Sequence, residues 1–178
     1  MYFNPKIGVF LLAACGALRL LTATESAPSK TTPHRSCEPG EHNEVLNGVR
    51  LYYRIAGRSR NAAPVVFLHG GPGYNSYSFA ALAGASLEKS LQVVYFDQRG
   101  CGRSERPWNQ DYSMGVLVED VEALRIAVGV PQIAIIGHSF GGALALEYAA
   151  HYPEHVSRMS SWAASPTDLH RFAFGGSA

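Results

Sequence analysis

The chain has 178 residues, the length of one domain, and 47% of them are hydrophobic, which suffices for a sizeable core and is far from the composition of a disordered segment. Fifteen Lys and Arg against fourteen Asp and Glu leave a formal charge of +1. That balance lacks the basic excess that binding to a phosphate backbone draws on, so nucleic acid is not expected as a partner.

The first residues read as an export signal. Lys6 precedes an apolar run from Ile7 to Leu18, which Arg19 and a small, polar stretch to Ser26 close. The run is shorter than a bilayer span requires. Within it, Leu12-Ala13-Ala14-Cys15 resembles the lipobox of bacterial lipoproteins, where Cys15 would be acylated and attach the protein to a membrane surface. An ordinary cleaved signal, with Cys15 as one more small residue, is the competing reading. Both imply export, as a periplasmic, membrane-anchored or secreted protein. Residues 27–40, rich in Pro, Ser, Thr and Lys, read as a flexible linker before a folded region over 41–178.

From Glu41 the pattern is punctuated. A strand is expected over Glu41 to Leu46, a turn at Asn47-Gly48 and a second strand from Val49 to Ile55, together a hairpin. The runs Pro64 to Leu68, Leu91 to Phe96 and Gln132 to Ile136 are apolar without alternation, as in strands buried on both faces of a parallel sheet. Between them lie a weak helical segment near Ser76 to Leu87 and a strong one from Ser113 to Val128. In the latter, Val116, Val121, Leu124 and Val128 recur at helical spacing and Glu119 and Asp120 fall on the more polar side. A further strand is expected over Val156 to Ala163. Strands alternating with helices specify an α/β fold with right-handed crossovers.

Three motifs follow three of these strands. Gly137-His138-Ser139-Phe140-Gly141-Gly142 lies between an apolar strand and the helical run Ala143 to Ala150, the strand, sharp turn and helix context that GxSxG requires. The flanking glycines are expected because side chains there would collide with neighbouring elements. The turn would lift the Ser139 hydroxyl above the sheet as a nucleophile. His69-Gly70-Gly71-Pro72-Gly73 directly follows the strand ending at Leu68. It can aim the Gly71 N–H at a developing oxyanion, with the N–H of Phe140 as second donor. The tight loop makes Gly71-Pro72 a candidate cis peptide. The third motif, Asp97-Gln98-Arg99-Gly100-Cys101-Gly102-Arg103-Ser104, reads either as substrate contact through Arg99 or Arg103 or as a loop pinned by its own hydrogen bonds, and the second is expected. No His or Cys spacing suits a metal, and a disulfide between Cys37 and Cys101 is not expected.

In this order and at these intervals, the HGGPG loop, the DQRGCGRS loop and the GHSFGG elbow resemble the α/β-hydrolase superfamily, closest to its proline iminopeptidase branch, over roughly Val45 to Trp162. The resemblance implies a mostly parallel sheet with helices on both faces, of which the first six strands are present. It also implies a serine hydrolase that releases N-terminal residues from peptides, with Ser139 as nucleophile, Gly71 and Phe140 as oxyanion hole, and no cofactor or metal. His138 and His69 would be framework residues. Typical proline iminopeptidases carry Gly-Gly-Ser-Trp-Gly at the elbow, and the helical cap that recognises the substrate amine is absent here, so a small-molecule substrate and esterase chemistry stay open.

In this fold the triad runs serine, acid, histidine along the chain, so both partners follow Ser139. Glu147 and His151 lie on the helix leaving the elbow, Glu154 and His155 near its end, and Asp168 and His170 just beyond the sixth strand. None is expected to complete a triad. The chain is therefore expected to be C-terminally truncated, inactive as written, and aggregation-prone through an uncovered sixth strand. For the export reading, mass spectrometry of the native N-terminus should find an acylated Cys15 or cleavage before residue 28; a retained Met1 refutes it.

Overall fold

A computed structural model describes residues 38–58, 62–71 and 73–162. The export segment with Cys15, the linker as far as Cys37, Pro72, Asp168 and His170 lie outside the described residues.

The elements run β1 (Gly40–Leu46), β2 (Val49–Gly57), β3 (Val65–Leu68), α1 (Tyr77–Phe79), a π-helical turn (Ala80–Gly84), α2 (Ala85–Leu87), β4 (Gln92–Asp97), α3 (Met114–Val128), β5 (Ile133–His138), α4 (Phe140–His151), a 3-10 turn (Pro153–His155) and β6 (Val156–Trp162). The six strands form one sheet in the order β1-β2-β4-β3-β5-β6. The β1–β2 and β2–β4 pairs are antiparallel; β4, β3, β5 and β6 are mutually parallel. Asn47 and Gly48, with φ of 47° and 76°, make the hairpin turn, a left-handed pair that matches the twist of the flanking strands.

All four residues of β3 and all six of β4 are buried, because the sheet carries apolar layers on both faces. Leu51, Tyr53, Val66, Leu68, Val94 and Phe96 point to one face, against α3 and α4. Phe67, Val93 and Tyr95 point to the other, against Phe79, Ala80 and Leu87 of the segment from α1 to α2. That segment holds the expected weak helix, but a π-helical turn forms its middle. Strand β6 lies at one edge of the sheet, paired with β5, and exposes most of its residues, Met159 and Trp162 among them.

Asp120 departs from the helical pattern read in the sequence. It is not on the polar side of α3 but is 1% exposed. Its carboxylate accepts two hydrogen bonds from the guanidinium of Arg99, itself 4% exposed, and one at 2.9 Å from Asn47 Nδ2. Glu119 is exposed, as expected, and accepts the Tyr152 hydroxyl at 2.7 Å. The Arg99–Asp120 pair joins the loop after β4 to α3, and Asn47 joins the hairpin turn to α3 through the same carboxylate. Asp120→Ala would leave the guanidinium buried without its counter-charge. The expected loss is about 3–5 kcal/mol in urea unfolding, against under about 1 kcal/mol for Glu119→Ala.

Candidate active site

Strand β5 ends at His138 and α4 begins at Phe140, so Ser139 alone makes the turn, with φ 50° and ψ −118°. A side chain at positive φ costs on the order of 1–3 kcal/mol and persists only where its surroundings over-determine it. Here they do. The Ser139 N–H donates to the Trp162 carbonyl at 3.0 Å, and the Ser139 carbonyl accepts from the N–H groups of Gly142 at 2.8 Å and Ala143 at 3.3 Å. A Cβ on Gly137 would sit 2.6 Å from the Gly141 carbonyl oxygen, and one on Gly141 only 2.1 Å from the Leu68 carbonyl oxygen. Both positions therefore exclude any other residue, as the motif reading expected.

Ser139 occupies the N-cap of α4, yet its hydroxyl makes no capping bond. A serine there ordinarily spends its hydroxyl on the first-turn N–H groups from extended backbone. The positive φ removes that option and leaves the half-buried hydroxyl at the positive end of the helix.

The loop after β3 lies against this turn. A Cβ on Gly70 would meet His138 Nδ1 at 2.8 Å and Ser139 Cβ at 2.9 Å, so only a bare backbone can pass beside the serine. The motif reading did not assign Gly70 this role, although its place in the Gly-rich run signals close approach. Gly71 follows at φ 53°, and its carbonyl accepts the Tyr74 N–H at 3.2 Å. Gly71 is thus one residue from the contact with Ser139, and Phe140 is the first residue of α4.

His69 is a framework residue. Its Nε2 accepts the Gln98 N–H at 3.2 Å, its Nδ1 lies 3.1 Å from the Gly70 carbonyl as donor, and the Gln98 side chain donates to its carbonyl at 2.9 Å. Burial holds the ring below its ordinary value, in the neutral form these bonds need. The half-buried His138 ring packs against Trp162 at a centroid distance of 5.3 Å.

The alpha/beta hydrolase fold family model matches residues 63–175. The chain belongs to this family. It is 36% identical over 121 residues to a proline iminopeptidase of Thermoplasma volcanium, covering 67% of this chain and 40% of the relative. It is 41% identical over 114 residues to a proline iminopeptidase of Saccharolobus solfataricus, covering 61% and 36%. Among solved structures, a mutant meta-cleavage product hydrolase from Pseudomonas fluorescens IP01 matches with a TM-score of 0.61 and 33% identity over 66% of this chain and 43% of the other. Epoxide hydrolase A from Mycobacterium thermoresistibile matches with a TM-score of 0.61 and 30% identity over 78% and 46%. The chain spans about two fifths of the length of the curated relatives it matches.

In this alpha/beta hydrolase the acid and imidazole candidates that lie among the described residues have partners away from the elbow. His151 and Glu147 pair with each other at 3.6 Å on an exposed side of α4. His155 lies 3.2 Å from Glu122 of α3, a carboxylate that also accepts from Arg125 and the Tyr148 hydroxyl. Glu154 is exposed, 3.6 Å from the His155 ring. The loop after β4 is pinned, as expected. Asp97 Oδ1 accepts the Ser76 N–H and hydroxyl, both at 2.8 Å, and Oδ2 accepts the Arg103 N–H at 3.0 Å. Arg99 is held by Asp120, and Arg103 reaches Glu41 at 3.0 Å. Among the described residues Cys101 is a buried thiol without a disulfide, and no group of three His, Cys, Asp or Glu is placed to hold a metal ion.

Two cavities flank the elbow. One of about 170 Å³ is lined by Gly70, His138, Phe79, Trp162 and neighbours, and one of about 440 Å³ by Gly73, Cys101, Tyr112, Leu117, Phe140 and the Gln98–Gly100 segment.

Gly141→Ala should abolish soluble, cooperatively melting protein, because its Cβ meets rigid backbone; Gly115→Ala on α3, which meets open space, should stay within about 1 kcal/mol of the parent. The buried neutral His69 gives a pH dependence of definite sign. Its folded value lies below the unfolded 6.5, so the unfolded chain binds the extra proton in the window between them. Stability is full above that window and falls as pH drops through it. Melting temperatures from pH 7.5 to 5 should decline, and less steeply in His69→Asn.

Proposed function

We propose that this chain carries the nucleophile and oxyanion hole of a serine hydrolase that releases N-terminal residues from peptides. The observation that carries this reading is Ser139 itself, held at positive φ with its hydroxyl withheld from helix capping. The likeness to proline iminopeptidases at 36–41% identity supports the peptidase assignment.

The Ser139 hydroxyl attacks the carbonyl carbon of the substrate and passes its proton to a general base, an imidazole in the serine, acid, histidine order of the family. Negative charge on the carbonyl oxygen is met by the N–H groups of Gly71 and Phe140, the second reinforced by the N-terminus of α4. Collapse breaks the amide bond, the leaving amine takes up the proton, and the acyl group stays on Ser139 Oγ until water removes it. No cofactor takes part.

An ester substrate is the second reading. It is favoured by His138 and Phe140 beside the serine, where typical proline iminopeptidases have Gly and Trp. The native protein, purified from its own cells, is expected to react with a fluorophosphonate at Ser139 and to cleave prolyl-p-nitroanilide. Ser139→Ala should abolish labelling and lower kcat by about 10⁴-fold or more. Cleavage of p-nitrophenyl acetate without the prolyl anilide would select the ester reading. An unlabelled Ser139 would leave a non-catalytic ligand-binding protein.

A further inference from the structure

A cavity of about 310 Å³ lies apart from the elbow, lined by neither Ser139, its two neighbours nor Gly71. Its floor is one face of the antiparallel end of the sheet. Side chains two residues apart on a strand share a face, and those of paired residues stand side by side. Tyr52 and Arg54 of β2 therefore stand beside Asp97 and Tyr95 of β4, and Glu41 of β1 beside Arg54, and all five line the cavity. Arg103, from the loop after β4, and Ser76, Tyr77, Ala80 and Ala81, from the start of the helical segment, form its walls.

Both arginines are held in place with donors to spare. The Arg54 guanidinium lies over the Tyr95 ring at 4.5 Å and donates through Nη2 to Glu88 at 3.0 Å. That of Arg103 lies over the Tyr52 ring at 4.5 Å and donates through Nη1 to Glu41 at 3.0 Å and to the Tyr52 hydroxyl. Among the described residues, Nε and the second terminal nitrogen of each side chain give no hydrogen bond. The two carboxylates in the lining differ. Asp97 is 3% exposed and accepts from the Ser76 N–H and hydroxyl and from the Arg103 N–H, so it is spent within the protein. Glu41 is exposed. Hydrogen bonds from Arg103 and Tyr52, with the charges of both arginines, hold its carboxyl below the ordinary value, and it keeps acceptor capacity for a further donor.

These groups specify the occupant. A carboxylate gains from both guanidinium groups and an ammonium from Glu41, whereas a ligand with only one of the two leaves the rest without a partner. Counting Asp97, two positive and two negative side chains line the cavity, which suits a ligand carrying both signs over one with a net charge. Ala80 and Ala81 add a wall without polar side-chain atoms, against which hydrocarbon can lie. We propose that this cavity binds a free α-amino acid with an apolar side chain, its carboxylate on Arg54 and Arg103, its ammonium on Glu41 and its side chain against Ala80 and Ala81. The site is independent of Ser139 and stands whether or not that serine is a nucleophile.

Calorimetric titration of the full-length native protein tests it with three probes of one shape: leucine, 4-methylpentanoate, which lacks the amine, and 3-methylbutylamine, which lacks the carboxylate. Leucine is expected to bind at least about tenfold more tightly than either of the others. Arg54→Gln and Glu41→Gln remove one partner each and should weaken leucine binding about tenfold. Ala81→Trp, at an exposed position, fills the cavity without touching the core and should weaken it by at least as much. The proposal is overturned if the parent shows no saturable leucine binding, or if 4-methylpentanoate or the amine binds as tightly as leucine. It is also overturned if leucine binds unchanged to the three variants, which would place it elsewhere on the molecule. Should a variant fail to melt cooperatively, the comparison of the three probes on the parent decides.

Discussion

Where β3, β5 and α4 meet, three stretches of backbone approach more closely than any side chain would allow. The Leu68 carbonyl faces the start of α4, the start of α4 faces the last turn of β5, and the loop after β3 lies on Ser139. Gly137, Gly141 and Gly70 are there because a methyl group at any of them would meet backbone or the serine within 3 Å. The strained dihedral angles of Ser139 follow from the same crowding, since the chain must reverse from strand to helix within one residue. Hydrogen bonds on both sides of that residue, to Trp162 and from the first turn of α4, hold it there.

A second layer of order fixes the loops above the sheet. The loop after β4 is clamped twice, by Asp97 through Ser76 and the Arg103 amide, and by Arg99 through Asp120. These buried charges have a further effect on chemistry. Because Arg99 is paired with Asp120 and the Gln98 amide donates to the His69 carbonyl, the space beside Phe140 presents mostly hydrocarbon although several of its bordering residues are polar.

Much of this was legible in the chain because the signals are local. Asn47-Gly48 announced its own left-handed turn, unbroken apolar runs announced strands covered on both faces, and the spacing of glycines around Ser139 announced the elbow. What escaped was non-local. Asp120 looked like a solvent-facing residue because helical periodicity sorts charge outward, while its partner Arg99 sits 21 residues away on another element. The π-helical turn at Ala80–Gly84 leaves no mark in a stretch of small residues, and the two cavities are made by segments that only the sheet order brings together. The acid and base that would serve Ser139 could not be picked from residue types, since Glu147, His151 and His155 have the right chemistry and the wrong neighbours.

The sheet order also sets a timetable for synthesis. Strand β3 is the shortest and among the most apolar, and it lies between β4 and β5. Val65 pairs with Val93 on one side, but its other partner, Ala134, is made about 65 residues after β3 is complete. At roughly 5–20 residues per second, one flank of this strand is open for about 3–13 s on every translating ribosome. During that interval Val65-Val66-Phe67-Leu68 is an apolar strand with one unpaired edge, the kind of surface that favours misassociation of a nascent chain.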